Sequence, residues 1–256
     1  MRLLSRALVP AACAALVGAC TAPEATPARA ASEAAPLSRT QLEAIVAAPD
    51  RSDADRRNDV RRKPVDMLAF TGVRPGMTVL DVSAGGGYTT ELLARAVGPT
   101  GRVYAQTPRP PSANLADRLK KPAAANVVSV VRPFESAPAP ELASGGFDLV
   151  TLMFNYHDMG HLGVDRARLN AAIFAALKPG GALVIADHSG RAGTGISESG
   201  TLHRVEEAFL RREIEAAGFR LGGQGMFLRN PADPRDRQEP DPPQPKDEFV
   251  LRFVKP

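Results

Sequence analysis

An open α/β fold with a mostly parallel sheet is the architecture this sequence predicts, and three observations carry the prediction. The apolar run Val79-Leu80-Asp81-Val82 passes through Ser83-Ala84-Gly85-Gly86-Gly87 into Thr90-Glu91-Leu92-Leu93-Ala94, whose composition favours a helix; this is a strand, a tight turn and a helix. Residues 147–154 form an almost continuous apolar run, the pattern of a strand buried on both faces of a parallel sheet. Short apolar runs and helically spaced segments alternate along the chain and end in two closing strands, so a single domain accounts for the pattern.

Composition bounds the function. With 256 residues, 44% of them hydrophobic and 23% charged, the chain can bury a substantial core. Its start is different. Arg2 and Arg6 precede an almost uncharged run over residues 7–19, the layout of a secretory signal peptide and too short to span a membrane comfortably. Leu16-Val17-Gly18-Ala19-Cys20 resembles a bacterial lipobox, in which cleavage before the cysteine leaves Cys20 to carry lipid. Both cysteines, Cys13 and Cys20, lie in this leader, so the folded part offers no disulfide, thiol nucleophile or thiolate ligand. The formal charge of +4 includes Arg2 and Arg6, so the mature chain is nearly neutral. Its basic residues are interleaved with acids and Trp is absent, which argues against a nucleic-acid groove.

Taken in order, residues 21–36 are rich in Ala, Pro and Thr and read as a flexible tether. Residues 37–48 have helical spacing at Leu42, Ile45 and Val46, with Ser38 or Thr40 as cap. Residues 51–63 are densely charged with both signs. The pattern suits a solvated helix face, and the functional alternative is that one or two of Arg57, Asp59 and Arg61 fold over a ligand cleft. Residues 64–70 read as a helix, 73–77 as a turn and 78–82 as the first strand. The helix after the glycine turn should run to Val97, where Gly98-Pro99-Thr100-Gly101 ends it. Strands follow at 102–105, 126–131 and 147–154, with a short helix at 115–120. Residues 166–177 form a helix stopped by Lys178-Pro179-Gly180-Gly181, and 182–186 a fifth strand. A helix over 199–217, with Leu202, Val205, Phe209 and Leu210 on its apolar side, leads to strands at 219–228 and 248–254. The expected division is a leader over 1–19, a tether with a short helix over 20–50, and a folded domain over 51–256.

Over residues 64–256 this arrangement resembles the class I S-adenosylmethionine-dependent methyltransferases. The stretch 79–87, Phe147-Asp148-Leu149-Val150 and Leu177-Lys178-Pro179-Gly180-Gly181 carry the resemblance. The chain is most similar to a subgroup of predicted exported bacterial methyltransferases, with Asp187-His188, Leu202-His203-Arg204 and Leu228-Arg229-Asn230-Pro231. The resemblance implies a Rossmann-like sheet of seven strands, mostly parallel with an antiparallel last strand, in a single domain. It also implies S-adenosylmethionine as cofactor. The loop with Ser83, Ala84, Gly85 and Gly87 would cradle its methionine part, with Asp81 positioning it through hydrogen bonds; Gln106 and Thr107 would stand at the ribose, and Asn155 would complete the set. Two positions depart from the family pattern. Ser83 replaces a glycine, and Gln106 or Thr107 stands where the second strand normally ends in an acid that binds both ribose hydroxyls; an amide or hydroxyl substitutes only partly.

The four histidines, His157, His161, His188 and His203, all lie in the second half of the domain, His203 on the helix expected over 199–217. His157 and His188 follow the fourth and fifth strands, at the carboxyl edge where ligands of open α/β sheets bind. His157, Asp158 and His188 are therefore the candidate catalytic residues, with His157 as general base because its ordinary pKa lies near neutrality. His157 and His161 have i, i+4 separation, but Gly160 and Gly163 argue against a helix there, and no metal is assigned. The expected function is methyl transfer to an unidentified small molecule or envelope component. The alternative is an exported binding module that keeps the fold, has lost the cofactor and takes a metal or envelope ligand on its His/Asp rim. Expected partners are a small-molecule substrate, no nucleic acid, and a membrane only through the lipid anchor, in the periplasm or on the outer membrane of a Gram-negative bacterium.

Overall fold

A computed structural model of the protein describes residues 34–136, 146–241 and 243–256. The expected signal peptide, the Cys20 lipid anchor and most of the tether lie outside the described residues. Seven strands form one sheet: β1 (Thr78–Val82), β2 (Arg102–Thr107), β3 (Val127–Val131), β4 (Phe147–Met153), β5 (Leu177–His188), β6 (Arg220–Gly225) and β7 (Glu248–Val254). Their order is β3-β2-β1-β4-β5-β7-β6. The pairs from β3 across to β5 are parallel, and β7 runs antiparallel to both its neighbours. The strand order reverses between β1 and β4, so a crevice opens above their carboxyl ends.

Alternation along the strands explains why the middle of the sheet must be covered on both faces. Leu80, Val82, Val150, Leu152, Leu183 and Ile185 point to one side, where they pack with residues of α6 (Arg166–Ala176) and α7 (Glu207–Ala216). Val79, Leu149, Met153, Ala182 and Val184 point to the other, against α1 (Arg39–Val46), α3 (Pro64–Thr71) and α4 (Tyr88–Val97). Helix α1 starts with a capping box at Ser38 and buries Leu42 in that second cluster. It belongs to the compact unit that begins at Ala34.

The charged run becomes α2 (Asp53–Arg62), capped by Ser52. Lys63 ends it in the left-handed region at φ 42°, and Pro64 begins α3 at once. The resulting corner turns α2 across the carboxyl edge of the sheet. Its charges are tied to three elements: Asp55 to Arg118 of α5 (Ala113–Arg118), Arg61 to Glu248 of β7, and Asp59 to the Tyr88 hydroxyl on α4. The run is therefore a cover for the crevice as well as a solvated face.

Three expected elements differ. Residues 199–206 are not helical; α7 begins only at Glu207, and His203 sits at φ 51°. Here tertiary bonds outweigh apolar spacing: Val205 bridges to Ser189, and the Arg204 guanidinium is drawn into the core. Strand β5 starts at Leu177, before Pro179, because Leu177 pairs with Phe147 while Gly180, at φ 76°, lets the strand bulge and bonds to Lys255. Strand β6 stops at Gly225, three residues short of the expected end. Among the described residues no helix is long and apolar enough to cross a membrane.

Candidate active site

The glycine turn leaves β1 through three positive-φ residues, Ser83 at 59°, Gly85 at 56° and Gly87 at 80°. Ser83, where the family resemblance calls for glycine, adopts that conformation while its hydroxyl donates to Asn155 Oδ1 at 2.9 Å. The outer side of the turn is held by the α5 region: Arg118 Nε donates to Gly86 O and Ser112 Oγ to Gly85 O. A Cβ on Gly87 would come within 2.8 Å of Arg118 Cδ and Leu115 Cδ1, so only glycine fits this close approach. Gly87 is also the N-cap of α4 and supplies no side-chain acceptor, which leaves the first amides of that helix for another oxygen.

Asp81 sits at the base of the turn with its carboxyl engaged by the protein. It is buried and accepts hydrogen bonds from Thr90 Oγ1 at 2.6 Å and Thr151 Oγ1 at 2.8 Å, tying β1 to α4 and β4. Burial outweighs those two bonds and pushes its pKa up from 3.8 to about 6. The folded carboxyl thus keeps a proton that the unfolded one has released. Its contribution to stability is fully present below about pH 4 and is lost as pH rises towards 6, on the order of 3 kcal/mol. Asp81→Asn should flatten that part of the stability–pH profile, read by urea unfolding at pH 4 and pH 7. An unchanged difference between the two would contradict this account.

The ends of β2 are also turned into the protein. Gln106 Nε2 donates to Pro133 O at 2.9 Å, and Thr107 Oγ1 to Arg109 O at 2.7 Å. Ala84 lies beside them, its amide bonded to Gln106 O.

At the end of β4, Phe154 takes φ 60° and redirects the chain, and a 3-10 turn covers His157–Gly160. Asn155 Nδ2 reaches Asp158 Oδ2 at 2.8 Å, so Ser83, Asn155 and Asp158 form one bonded chain. Asp187, fully buried at the end of β5, accepts the backbone N–H groups of His157 and His188 and lies 2.6 Å from His157 Nδ1. His157 Nε2 lies 3.1 Å from Asp158 Oδ1. Burial opposes a charged imidazole, but Asp187 and Asp158 outweigh it and push the His157 pKa up to about 9. Burial likewise opposes the Asp158 charge, and the bonds from His157, Asn155 and His203 outweigh it, holding that carboxyl well below the usual range. With both nitrogens engaged, His157 is a poor general base, contrary to the expectation from its position.

His188 differs from His157: burial pulls its pKa down, which favours the neutral ring. Its Nδ1 is 3.0 Å from Glu248 Oε1 but off the hydrogen-bond line, and its ring packs 5.6 Å from that of Phe154.

Sequence reasoning passed over Arg62, although it weighed three of its neighbours. Its guanidinium lies 3.7 Å from the centre of the Phe154 ring. Its Nε is buried with no hydrogen-bond partner among the described residues. Burial first, then Arg61, pulls its pKa down to about 10. A cleft of about 860 Å³ places Arg62 with Arg57, Arg61, Arg118, Gly86 and Tyr88. The only sequence signal for Arg62 was its place just before Lys63-Pro64, where the chain turns.

The comparisons with known proteins agree with this geometry. Residues 79–181 match the model of a methyltransferase domain family. The chain is 36% identical over 124 residues to the ubiquinone/menaquinone biosynthesis C-methyltransferase UbiE of Ectopseudomonas mendocina, a match covering 48% of this chain and 46% of that protein. The chain thus spans about half the length of such relatives. A SAM-dependent methyltransferase from Aquifex aeolicus superposes with TM-score 0.58 at 21% identity, over 86% of this chain and all of the other. A possible exported protein from Bordetella parapertussis gives 0.52 at 18%, over 86% of this chain and 80% of that one. The domain has the class I methyltransferase fold. Within it, residues 79–181 are the part that is similar to that methyltransferase domain family.

Proposed function

We propose that the protein binds S-adenosylmethionine and transfers its methyl group to a small-molecule acceptor outside the cytoplasm. One observation carries this reading: an uncapped helix N-terminus after the glycine turn shares a crevice with a half-buried arginine whose Nε lacks a partner. Free amides and a guanidinium are the donor set that an amino acid carboxylate needs.

The bound cofactor supplies an electrophilic methyl group on a sulfonium. The residues around it have distinct tasks. Ser83, Ala84, Gly85 and Gly87 shape the backbone that receives the methionine part, and Arg62 holds its carboxylate. Gln106 and Thr107 stand at the ribose without a carboxylate, and their side chains are committed to Pro133 and Arg109. Cofactor affinity is accordingly modest. Asn155, fixed between Ser83 and Asp158, sets the distance between cofactor and acceptor. His188, neutral beside Phe154, takes the proton from an acceptor that carries one. Arg57, Arg61 and Lys63 line a second cleft of about 540 Å³ next to Glu248, which favours an acceptor with negative charge.

Export and a lipid anchor at Cys20 complete the proposal, supported by the leader pattern and by the similarity in fold to a possible exported protein. Calorimetric titration of the purified chain with S-adenosylmethionine and with S-adenosylhomocysteine tests the activity. One-to-one binding of both is expected, and no binding of either by folded protein overturns it.

A further inference from the structure

All four histidines of the protein lie in one run of ring contacts, although they come from three segments of chain. The His157 ring centre lies 5.4 Å from that of His188 and 5.6 Å from that of His203, which in turn is 5.6 Å from that of His161. Three of them aim a nitrogen at the same carboxylate oxygen. His157 Nε2 and His203 Nδ1 are each 3.1 Å from Asp158 Oδ1, and His161 Nε2 is 3.9 Å from it.

The outer bonds set which nitrogens can act as ligands. His157 donates Nδ1–H to the buried Asp187 carboxylate, so when a metal displaces the proton on Nε2 the ring presents its lone pair there. The Ser199 hydroxyl donates to His157 O and must therefore accept from His161 Nδ1 at 2.8 Å, which leaves a lone pair on Nε2 of that ring as well. A carboxylate or hydroxyl behind a ligating imidazole is the usual support of a metal ligand. The cluster is also built closely. A Cβ on Gly160 would lie 2.4 Å from Ile196 Cγ1 and 2.7 Å from Ser199 Oγ, so glycine lets the turn after β4 press against the loop that brings in Ser199 and His203.

We propose that His157 Nε2, Asp158 Oδ1 and His203 Nδ1 bind a divalent transition metal, zinc by preference, with His161 Nε2 as the fourth, exchangeable ligand. These three ligand atoms lie within 4.8 Å of one another. Four ligands placed tetrahedrally about zinc at ~2.0–2.1 Å stand roughly 3.3 Å apart, close to the two 3.1 Å separations found. Imidazole nitrogens with one carboxylate form a borderline donor set that suits zinc better than calcium or magnesium. Because His161 is the most exposed of the set, the fourth position can pass to an oxygen or nitrogen of a bound molecule. The site does not depend on methyl transfer.

The test is metal analysis of the full chain purified without chelator, followed by chelator treatment and calorimetric titration with zinc chloride. About one zinc per chain, removable and rebinding at one site, is expected. His203→Asn is the informative variant, since asparagine tolerates φ 51° while removing the imidazole. Its zinc affinity should fall about 10–100-fold with the fold intact by circular dichroism. His161→Ala should weaken zinc less than His203→Asn and shift the visible spectrum of the cobalt-substituted protein. A chain that purifies without metal and shows no saturable zinc binding overturns the proposal, as does unchanged affinity in His203→Asn. Either result leaves an ion-paired cluster only, whatever the outcome of titration with S-adenosylmethionine.

Discussion

Replacing Arg204 by alanine is expected to lower the stability of the domain by about 3–5 kcal/mol, the cost of breaking a buried ion pair by removing one partner. Arg204 is fully buried and so is Asp233. The guanidinium donates to Asp233 Oδ2 at 2.9 Å, to Ser189 O at 2.9 Å and to Arg237 O at 3.0 Å. Asp233 also accepts the backbone amides of Arg235 and Asp247, so removing Arg204 leaves its charge buried and two carbonyls without a donor. Urea unfolding at neutral pH reads the loss. Arg204→Lys, which keeps the charge but not the fork, should fall between the two. A loss below about 1 kcal/mol in the alanine variant would mean that the loop over residues 230–246 is held by other contacts.

The second large effect is functional. Arg62→Ala should weaken binding of S-adenosylmethionine by about 10–150-fold, the equivalent of one hydrogen-bonded charge pair of ~1.5–3 kcal/mol. Arg62→Lys should restore part of it. The same alanine variant should unfold at an equal or higher urea concentration than the parent, because it removes a buried Nε that has no partner. Weaker ligand binding together with undiminished stability separates a ligand-holding arginine from a structural one. Unchanged affinity would exclude Arg62 from the carboxylate site.

How far the sequence was legible follows from which forces are local. The β1 turn and β4 were readable because a glycine-rich turn and an uninterrupted apolar run have few other uses in a folded chain. The closing pair β6 and β7 was readable in kind, and the antiparallel direction of β7 came from the family resemblance. The start of α7 was not readable, since Leu202 and Val205 have helical spacing but Val205 is committed to a bridge with Ser189. The partners of Asp81 were not readable for a similar reason. Its two hydroxyl donors, Thr90 and Thr151, are distant in sequence, and nothing near Asp81 announces them. The histidines were visible one by one, and their meeting at Asp158 was not, because it depends on Gly160 admitting the loop from Ile196 to His203.

Ser83 gives the site one more property. Its hydroxyl joins the glycine turn to Asn155, and Asn155 joins Asp158, whose other oxygen faces the histidines. A single serine in place of glycine thus ties the turn after β1 to the histidine cluster through two consecutive hydrogen bonds, so the position of Asp158 depends on a residue 75 places earlier in the chain.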